Sequence, residues 1–77
     1  MVGAYVLIET TPGKNVKNVR GAILKIRGVK SADYVTGPYD VVARIEAKNM
    51  ADITEIVAVR IQSVKGISKT ITLVVLT

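Results

Sequence analysis

The chain has 77 residues, a net charge of +5 and 49% apolar residues, and it contains neither cysteine nor histidine. The missing residue types exclude disulfide bonds, thiolate metal sites and every catalytic arrangement that needs either side chain. We therefore expect no enzyme, with no catalytic residues, no metal ligands and no cofactor. No run approaches the roughly 18 apolar residues that span a bilayer, and the signal-peptide pattern is missing. These features predict one small, soluble, cytoplasmic domain that does not associate with membranes.

The first half of the chain predicts a strand, a helix and a second strand. Val2 to Thr10 is rich in β-branched and apolar residues and ends at a Thr-Pro-Gly turn, which is typical of a strand. From residue 14 onwards the apolar residues recur at helical spacing: Val16, Val19, Ala22, Ile23 and Ile26. Gly21 interrupts this helix and weakens it by about 1 kcal/mol relative to alanine. Gly28 fits the left-handed position just past the helix, and residues 32–36 follow as a short strand.

The second half repeats this order. Residues 41–47 predict a strand, and Asn49 is suited to cap the helix that follows. That helix ends at Gly66, and residues 68–76 form the last strand. A shift of 38 positions places Gly28 on Gly66 and so matches the two helix ends. Two such β-α-β units predict an α+β, ferredoxin-like βαββαβ fold, in which two helices pack on one face of a four-stranded antiparallel sheet.

Neither face of the predicted sheet is clearly polar. Every residue from 4 to 8 in the first strand is apolar or aromatic, so both of its faces can be buried. The shift of 38 matches Tyr5 and Leu7 with apolar residues of the third strand, and we predict that these two side chains face the helices. Val6 and Ile8 then lie on the open face. An uncovered apolar sheet predicts a homodimer formed by sheet packing, with a tolerated apolar patch on a monomer as the alternative.

Six basic residues fall within residues 14–30, which contain no acidic residue: Lys14, Lys17, Arg20, Lys25, Arg27 and Lys30. A basic helix of this kind can contact the phosphate backbone of a nucleic acid. The alternative is a solvated helix face that keeps the protein in solution. The sequence leaves both interpretations open.

The turn between the second and third strands carries more chemistry than a hairpin requires. Residues 35–40 read Val-Thr-Gly-Pro-Tyr-Asp, and Gly-Pro is a strong turn signal. A bound amino acid needs an acceptor for its ammonium group, which Asp40 can supply. Its carboxylate needs donors, which backbone N–H groups and the hydroxyls of Thr70 and Thr72 can supply. The alternative is that Asp40 only ends a turn and that the threonines are ordinary strand residues.

Four segments, in this order and spacing, resemble the effector-binding module of the Lrp/AsnC (feast/famine) transcription regulators, called the RAM domain: Ala4-Tyr5-Val6-Leu7-Ile8, Ile26-Arg27-Gly28-Val29, Val35-Thr36-Gly37-Pro38-Tyr39-Asp40-Val41-Val42, and Gly66-Ile67 followed by Thr70-Ile71-Thr72-Leu73. The resemblance covers residues 1–77 as a single ligand-binding domain. It implies sheet-packed homodimers, rings of such dimers, and an amino-acid effector held between neighbouring dimers. The ligand-binding residues that it implies are Gly37, Tyr39, Asp40, Thr70 and Thr72, with Thr36 and Pro38 as neighbours.

Those regulators also carry an N-terminal helix-turn-helix, whereas this chain starts directly on its first predicted strand. We therefore expect a stand-alone module with no DNA-binding domain and no direct sequence-specific DNA binding. The leading hypothesis is an amino-acid-sensing module that homo-oligomerises through its sheet and modulates transcription with Lrp/AsnC-type partners. Two alternatives stay open: a nucleic-acid-binding protein that uses the basic first helix, and an assembly module without a ligand.

Overall fold

The computed structural model describes residues 1–13 and 15–76. Within these residues, four strands form one antiparallel sheet in the order β2-β3-β1-β4: β1 (Val2–Thr10), β2 (Val29–Tyr34), β3 (Val41–Ala47) and β4 (Ile67–Val74). Helix α1 is Val16–Leu24, and α2 is Met50–Glu55, which continues as a π-helical segment, Ile56–Ile61. The predicted ferredoxin-like fold is confirmed. No described helix is long and apolar enough to cross a membrane.

Local signals place the ends of the helices. The predicted N-cap at Asn49 is confirmed, because its Oδ1 accepts a hydrogen bond from Asp52 N at 2.9 Å, and Asn15 caps α1 in the same way. Gly28 and Gly66 both have a φ of +98°, which suits glycine, but α1 ends at Leu24 and the π-helical segment at Ile61, so both glycines lie in the turns directly before β2 and β4 and not just past the helix ends as predicted. Strand β2 starts earlier than predicted because the carbonyl of Gly28 already accepts a hydrogen bond from Glu46 N of β3 at 2.9 Å.

The second helix widens after Glu55. The backbone N–H of Gln62 donates to the carbonyl of Val57, five residues back, at 3.2 Å. In a regular α-helix Arg60 would share the buried face of Ile56, because residues four apart lie one above the other. The wider turn instead buries Ile56 and Ile61 and leaves Arg60 exposed.

The core lies between the helices and one face of the sheet. Its largest fully buried side chains come from both central strands and both helices: Val6, Ile8, Ile23, Val41, Ile45, Ile53 and Ile61. This packing corrects the predicted orientation of β1. Val6 and Ile8 face the helices and are 0% exposed, whereas Tyr5 is 43% exposed on the open face, with Leu7 on the same side.

The repeat misled the prediction because its two halves are not the same length throughout. Gly28 and Gly66 lie 38 residues apart, but the N-caps Asn15 and Asn49 lie only 34 apart. The stretch from cap to glycine is therefore longer in the second half, whereas the connection from β1 to α1 (residues 11–15) is longer than the one from β3 to α2 (residues 48–49), so no single shift holds in both the strands and the helices. A strand residue displaced by one position moves to the other face of the sheet.

Candidate ligand-binding site

The turn of residues 35–40 lies at the end of the sheet where β1 ends and β4 begins. The N–H of Asp40 donates to the carbonyl of Ile8 at 2.9 Å, and the N–H of Val35 donates to the carbonyl of Asp40 at 3.0 Å. At the same end, the N–H of Thr11 donates to the carbonyl of Gly66, just before β4, at 2.7 Å. Antiparallel pairing thus brings the turn and the start of β4 to opposite sides of β1.

Asp40 is held in place by Thr10, at the end of β1. Its Oδ2 accepts hydrogen bonds from the backbone N–H of Thr10 at 2.8 Å and from the Thr10 hydroxyl at 2.9 Å. The backbone bond, followed by the hydroxyl bond, lowers the pKa of Asp40 because both favour the ionised carboxyl. Among residues 1–13 and 15–76, Oδ1 of Asp40 makes no hydrogen bond. The carboxylate is therefore charged at neutral pH, fixed in position, and able to accept from a ligand.

Thr10 was missed at the sequence level. It is a polar side chain that is only 9% exposed, at the end of a strand whose residues 4–8 are all apolar or aromatic. That polar ending was a usable signal, but its meaning depends on the pairing of β1 with β3, which ends at Ile8 and Val41 and so brings the end of β1 close to Asp40. A second polar link lies next to it: the Ser68 hydroxyl is 3.1 Å from both the carbonyl and Oε1 of Glu9.

The remaining predicted residues of the turn are accessible. Gly37 has a φ of +136°, and nothing lies within 4 Å of the place where a Cβ would be. Thr36 and Pro38 are exposed, and Tyr39 is half-buried. The tip of the turn is thus open to solvent, while Asp40 is fixed at its base.

Thr70 and Thr72 lie on β4, on the far side of β1 from Asp40. Thr70 pairs with Ile8, and its Oγ1 accepts from Gln62 Nε2 at 2.6 Å. Thr72 pairs with Val6 and lines an apolar cavity of about 240 Å³ between β4 and the second helix. Because paired residues share a face of the sheet, both threonines point to the helix side. Within one chain, two strand spacings, roughly 10 Å, separate the start of β3 from β4, so the two predicted halves do not meet.

The open face of the sheet has an apolar centre and a polar end. The Arg44 guanidinium lies 4.9 Å from the centroid of the Tyr5 ring, and Arg44 Nη2 is 3.7 Å from Glu46 Oε2. Gly3 leaves room for this arrangement, because a Cβ there would lie 2.6 Å from Arg44 Nη2. We call the apolar centre the open-face cluster; it consists of Tyr5, Leu7, Val42, Ile71 and Leu73.

Comparison with known proteins identifies the family. The sequence pattern of the Lrp/AsnC ligand binding domain matches residues 3–77. The chain belongs to the Lrp/AsnC family. It is 34% identical over 73 residues to an uncharacterized HTH-type transcriptional regulator of Pyrococcus furiosus, a match that covers 92% of this chain and 49% of that protein. The chain spans about half the length of the curated relatives that it matches.

Solved structures share the fold of this Lrp/AsnC domain. The crystal structure of a Thermus thermophilus protein has a TM-score of 0.93 and 34% identity, and the match covers 100% of this chain and 95% of that one. A transcriptional regulator of Neisseria meningitidis and a feast or famine regulatory protein of M. tuberculosis, with TM-scores of 0.87 and 0.86, were solved with L-methionine. Each is 18% identical; the matches cover 99% and 100% of this chain, and 50% and 51% of those chains.

Proposed function

We propose that this Lrp/AsnC domain senses a free amino acid and that the turn at Gly37 supplies half of the binding site. The observation that carries this proposal is the geometry of Asp40, whose carboxylate is ionised, fixed by Thr10 and left with Oδ1 unbonded among the described residues. An ammonium group has three N–H donors and binds strongly to a charged acceptor that is already in position. L-methionine, the ligand in the two complexes of the same fold, carries such an ammonium group.

The carboxylate of the amino acid needs donors, and the turn and β4 both offer them. Gly37 and Tyr39 have backbone N–H groups in an exposed turn, with Thr36 and Pro38 beside them. The Thr70 hydroxyl accepts from Gln62, so its O–H remains able to donate. Thr72 lines an apolar cavity of about 240 Å³, in which an aliphatic side chain of the ligand can be buried.

Because β1 separates Asp40 from Thr70 and Thr72 within a chain, we propose that the site forms between neighbouring dimers. One subunit contributes the turn, and a subunit of the next dimer contributes the two threonines. The homodimer forms through the open-face cluster, and rings of dimers bring the halves together. In the cytoplasm, ligand binding to this ring modulates transcription through association with Lrp/AsnC-type regulators; the role is regulatory rather than catalytic.

Calorimetric titration with each of the twenty amino acids tests the proposal. We expect one or a few of them to bind, and Asp40→Asn to weaken that binding about tenfold or more through loss of a charge-assisted bond. Asp52→Asn makes the same charge change in an exposed residue at the other end of the sheet and is expected to bind like the wild type. Light scattering on each sample checks that the oligomer is intact.

Thr10→Val separates a ligand contact from a structural role for Asp40. This variant loses one of the bonds that fix the carboxylate but keeps its charge. We expect it to bind more tightly than Asp40→Asn. An intact oligomer that binds none of the twenty amino acids would rule out the sensing role. Equal affinities of Asp40→Asn and the wild type would remove Asp40 from the site.

A further inference from the structure

A second cleft lies at the opposite end of the sheet from the Gly37 turn. It has a volume of about 440 Å³ and lies where the α1–β2 turn, the end of β3 and the second helix meet. Four basic side chains from four different segments line it: Arg27, Lys30, Lys48 and Arg60. The proposed amino-acid site uses none of them.

Close backbone packing fixes the floor of this cleft. Gly28 has a φ of +98°, and a Cβ at this position would lie 2.7 Å from Ile56 Cδ1 and 3.2 Å from the carbonyl oxygen of Glu46. The turn that carries Arg27 is thus pressed against β3 and the second helix. Gly28, Ile56 and Ala47 form an apolar floor beneath the basic side chains.

Positive charge remains after the acidic residues of the cleft are counted. Three acidic residues are also among those that line it: Glu46, Asp52 and Glu55. Two of them are engaged, because Glu46 lies 3.7 Å from Arg44 and Glu55 lies 3.6 Å from Arg60. The ion pairs of the described residues do not include Arg27, Lys30 or Lys48, and all three are exposed. Within the described lining of the cleft, three accessible cations therefore face a single unengaged carboxylate, that of Asp52.

The basic cleft does not coincide with the basic helix that the sequence predicts. Nε of Arg20 donates to the carbonyl of Ala32 at 2.6 Å, and its guanidinium lies 5.3 Å from the centroid of the Tyr34 ring. Arg20 thus ties α1 to β2 and is not free for a ligand. Lys48 and Arg60, far away in sequence, instead join the basic residues that follow α1.

We propose that this cleft binds the phosphate groups of an anionic ligand, independently of the amino-acid site. A guanidinium group can donate two parallel hydrogen bonds to two oxygens of a phosphate, and lysine ammonium groups add point charges. The concave shape and apolar floor fit a nucleotide, since small-ligand pockets range from about 300 to 1,000 Å³. The backbone of a nucleic acid presents the same phosphate chemistry, and the experiment distinguishes the two sources.

The test uses ATP in calorimetry and a fluorescein-labelled duplex of about 20 base pairs in anisotropy, both near physiological ionic strength. The variant K30E/K48E reverses two charges of the cleft, and K17E/K65E reverses two exposed lysines outside it. We expect K30E/K48E to weaken binding about tenfold or more and K17E/K65E to weaken it much less, because phosphate contacts depend on local charge. For the duplex, we also expect K30E/K48E to lower the slope of log K against log salt concentration by about two.

Each outcome decides the proposal. If K30E/K48E weakens ATP binding and K17E/K65E does not, the result supports a nucleotide as the ligand. If K30E/K48E weakens only the binding of the duplex, the result supports a nucleic-acid backbone as the source of phosphate. No binding of either probe to the wild type, or equal losses in both double variants, overturns the proposal. The neutral variant K30Q/K48Q, checked by circular dichroism, is expected to change binding in the same direction and guards against misfolding. Amino-acid binding by K30E/K48E is expected to be unchanged, so failure of one site does not imply failure of the other.

Discussion

The carboxylate of Asp40 accepts two hydrogen bonds from Thr10 and so ties the end of the Gly37 turn to β1. These bonds make the free energy of unfolding depend on pH. The hydrogen bonds from Thr10 lower the pKa of Asp40 in the folded state. A carboxyl whose folded pKa lies below the unfolded value, about 3.9, stabilises the fold above that pH, and the contribution is lost as pH falls through the folded pKa. In urea unfolding at pH 7, we expect Asp40→Asn to be less stable than the wild type. The difference is expected to shrink as the pH falls below about 4, where the unfolded chain takes up the proton first, and to be lost once the pH is below the lowered pKa of Asp40 in the folded state.

Thr10→Val provides the matched comparison for this prediction. It removes the hydroxyl bond but keeps the backbone N–H that donates to Oδ2 of Asp40. At pH 7 its loss of stability is therefore expected to be smaller than that of Asp40→Asn. A difference between Asp40→Asn and the wild type that stays constant from pH 7 to pH 3 would show that the charge of Asp40 does not contribute.

Single residues also show what the sequence could and could not predict about the candidate site. Asp40 stands out because its turn combines a carboxylate with a tyrosine ring and a threonine hydroxyl, which is more chemistry than a hairpin requires, and such a signal is local. Thr10 is thirty positions away, and only the register of β1 against β3 brings it to Asp40. The separation of Asp40 from Thr70 by β1 is set by the order of the strands in the sheet, which follows from the whole ferredoxin-like fold and not from the residues of the turn.

At the scale of whole elements, alanine substitutions at two glycines are expected to change the free energy of unfolding in opposite directions. Gly28 has a φ of +98°, and a Cβ there would lie 2.7 Å from Ile56 Cδ1, so Gly28→Ala adds backbone strain and a contact that Ile56 must relieve. We expect a loss of about 1–3 kcal/mol in unfolding free energy. Gly21 lies inside α1 with nothing within 4 Å of its Cβ position, so Gly21→Ala is expected to gain up to about 1 kcal/mol.

Urea unfolding at one fixed protein concentration measures both variants, since association shifts apparent stability. The two changes add the same methyl group to different elements, so each serves as the control for the other. A destabilised Gly21→Ala would mean that this position packs against another subunit. An unchanged Gly28→Ala would mean that the α1–β2 turn relaxes easily, and that the floor of the proposed phosphate-binding cleft is not fixed.

The order of the elements could be predicted because it depends on local features such as the cap at Asn49 and the glycines after the helices. The orientation of β1 could not, because alternation separates Val6 and Ile8 from Tyr5 and Leu7 without showing which pair is buried. The π-helical segment could not be predicted from the sequence either. An α-helical pattern through residue 64 fits the spacing of the apolar residues, and only the packing of Ile61 against the core requires the wider turn.

For the whole molecule, we expect the open-face cluster to determine how subunits associate. Leu73 is 50% exposed at the edge of this cluster, and the helices already cover the other face of the sheet. An uncovered apolar face of this kind favours isologous packing of two sheets. We expect Leu73→Glu to convert the dimer into a monomer in size-exclusion chromatography with light scattering, with circular dichroism confirming that the fold is retained.

Val59→Glu is the matched control, because Val59 is 60% exposed but belongs to the π-helical segment rather than the open face. We expect it to leave the dimer intact. If both variants dissociated, apolar exposure in general would drive association, and the open-face cluster would have no special role. A wild type that is monomeric at micromolar concentration would contradict sheet packing altogether.

The same variant also tests where the amino-acid site is assembled. If the turn of one subunit meets Thr70 and Thr72 of another dimer, dissociation removes half of the site even though Asp40 and Thr10 are untouched. Leu73→Glu is therefore expected to lose amino-acid binding together with the oligomer, whereas Val59→Glu keeps any binding that its remaining ring supports. A monomeric Leu73→Glu that binds an amino acid with wild-type affinity would place the whole site within one chain. Thr70 and Thr72 would then be excluded from the site, because β1 lies between them and Asp40.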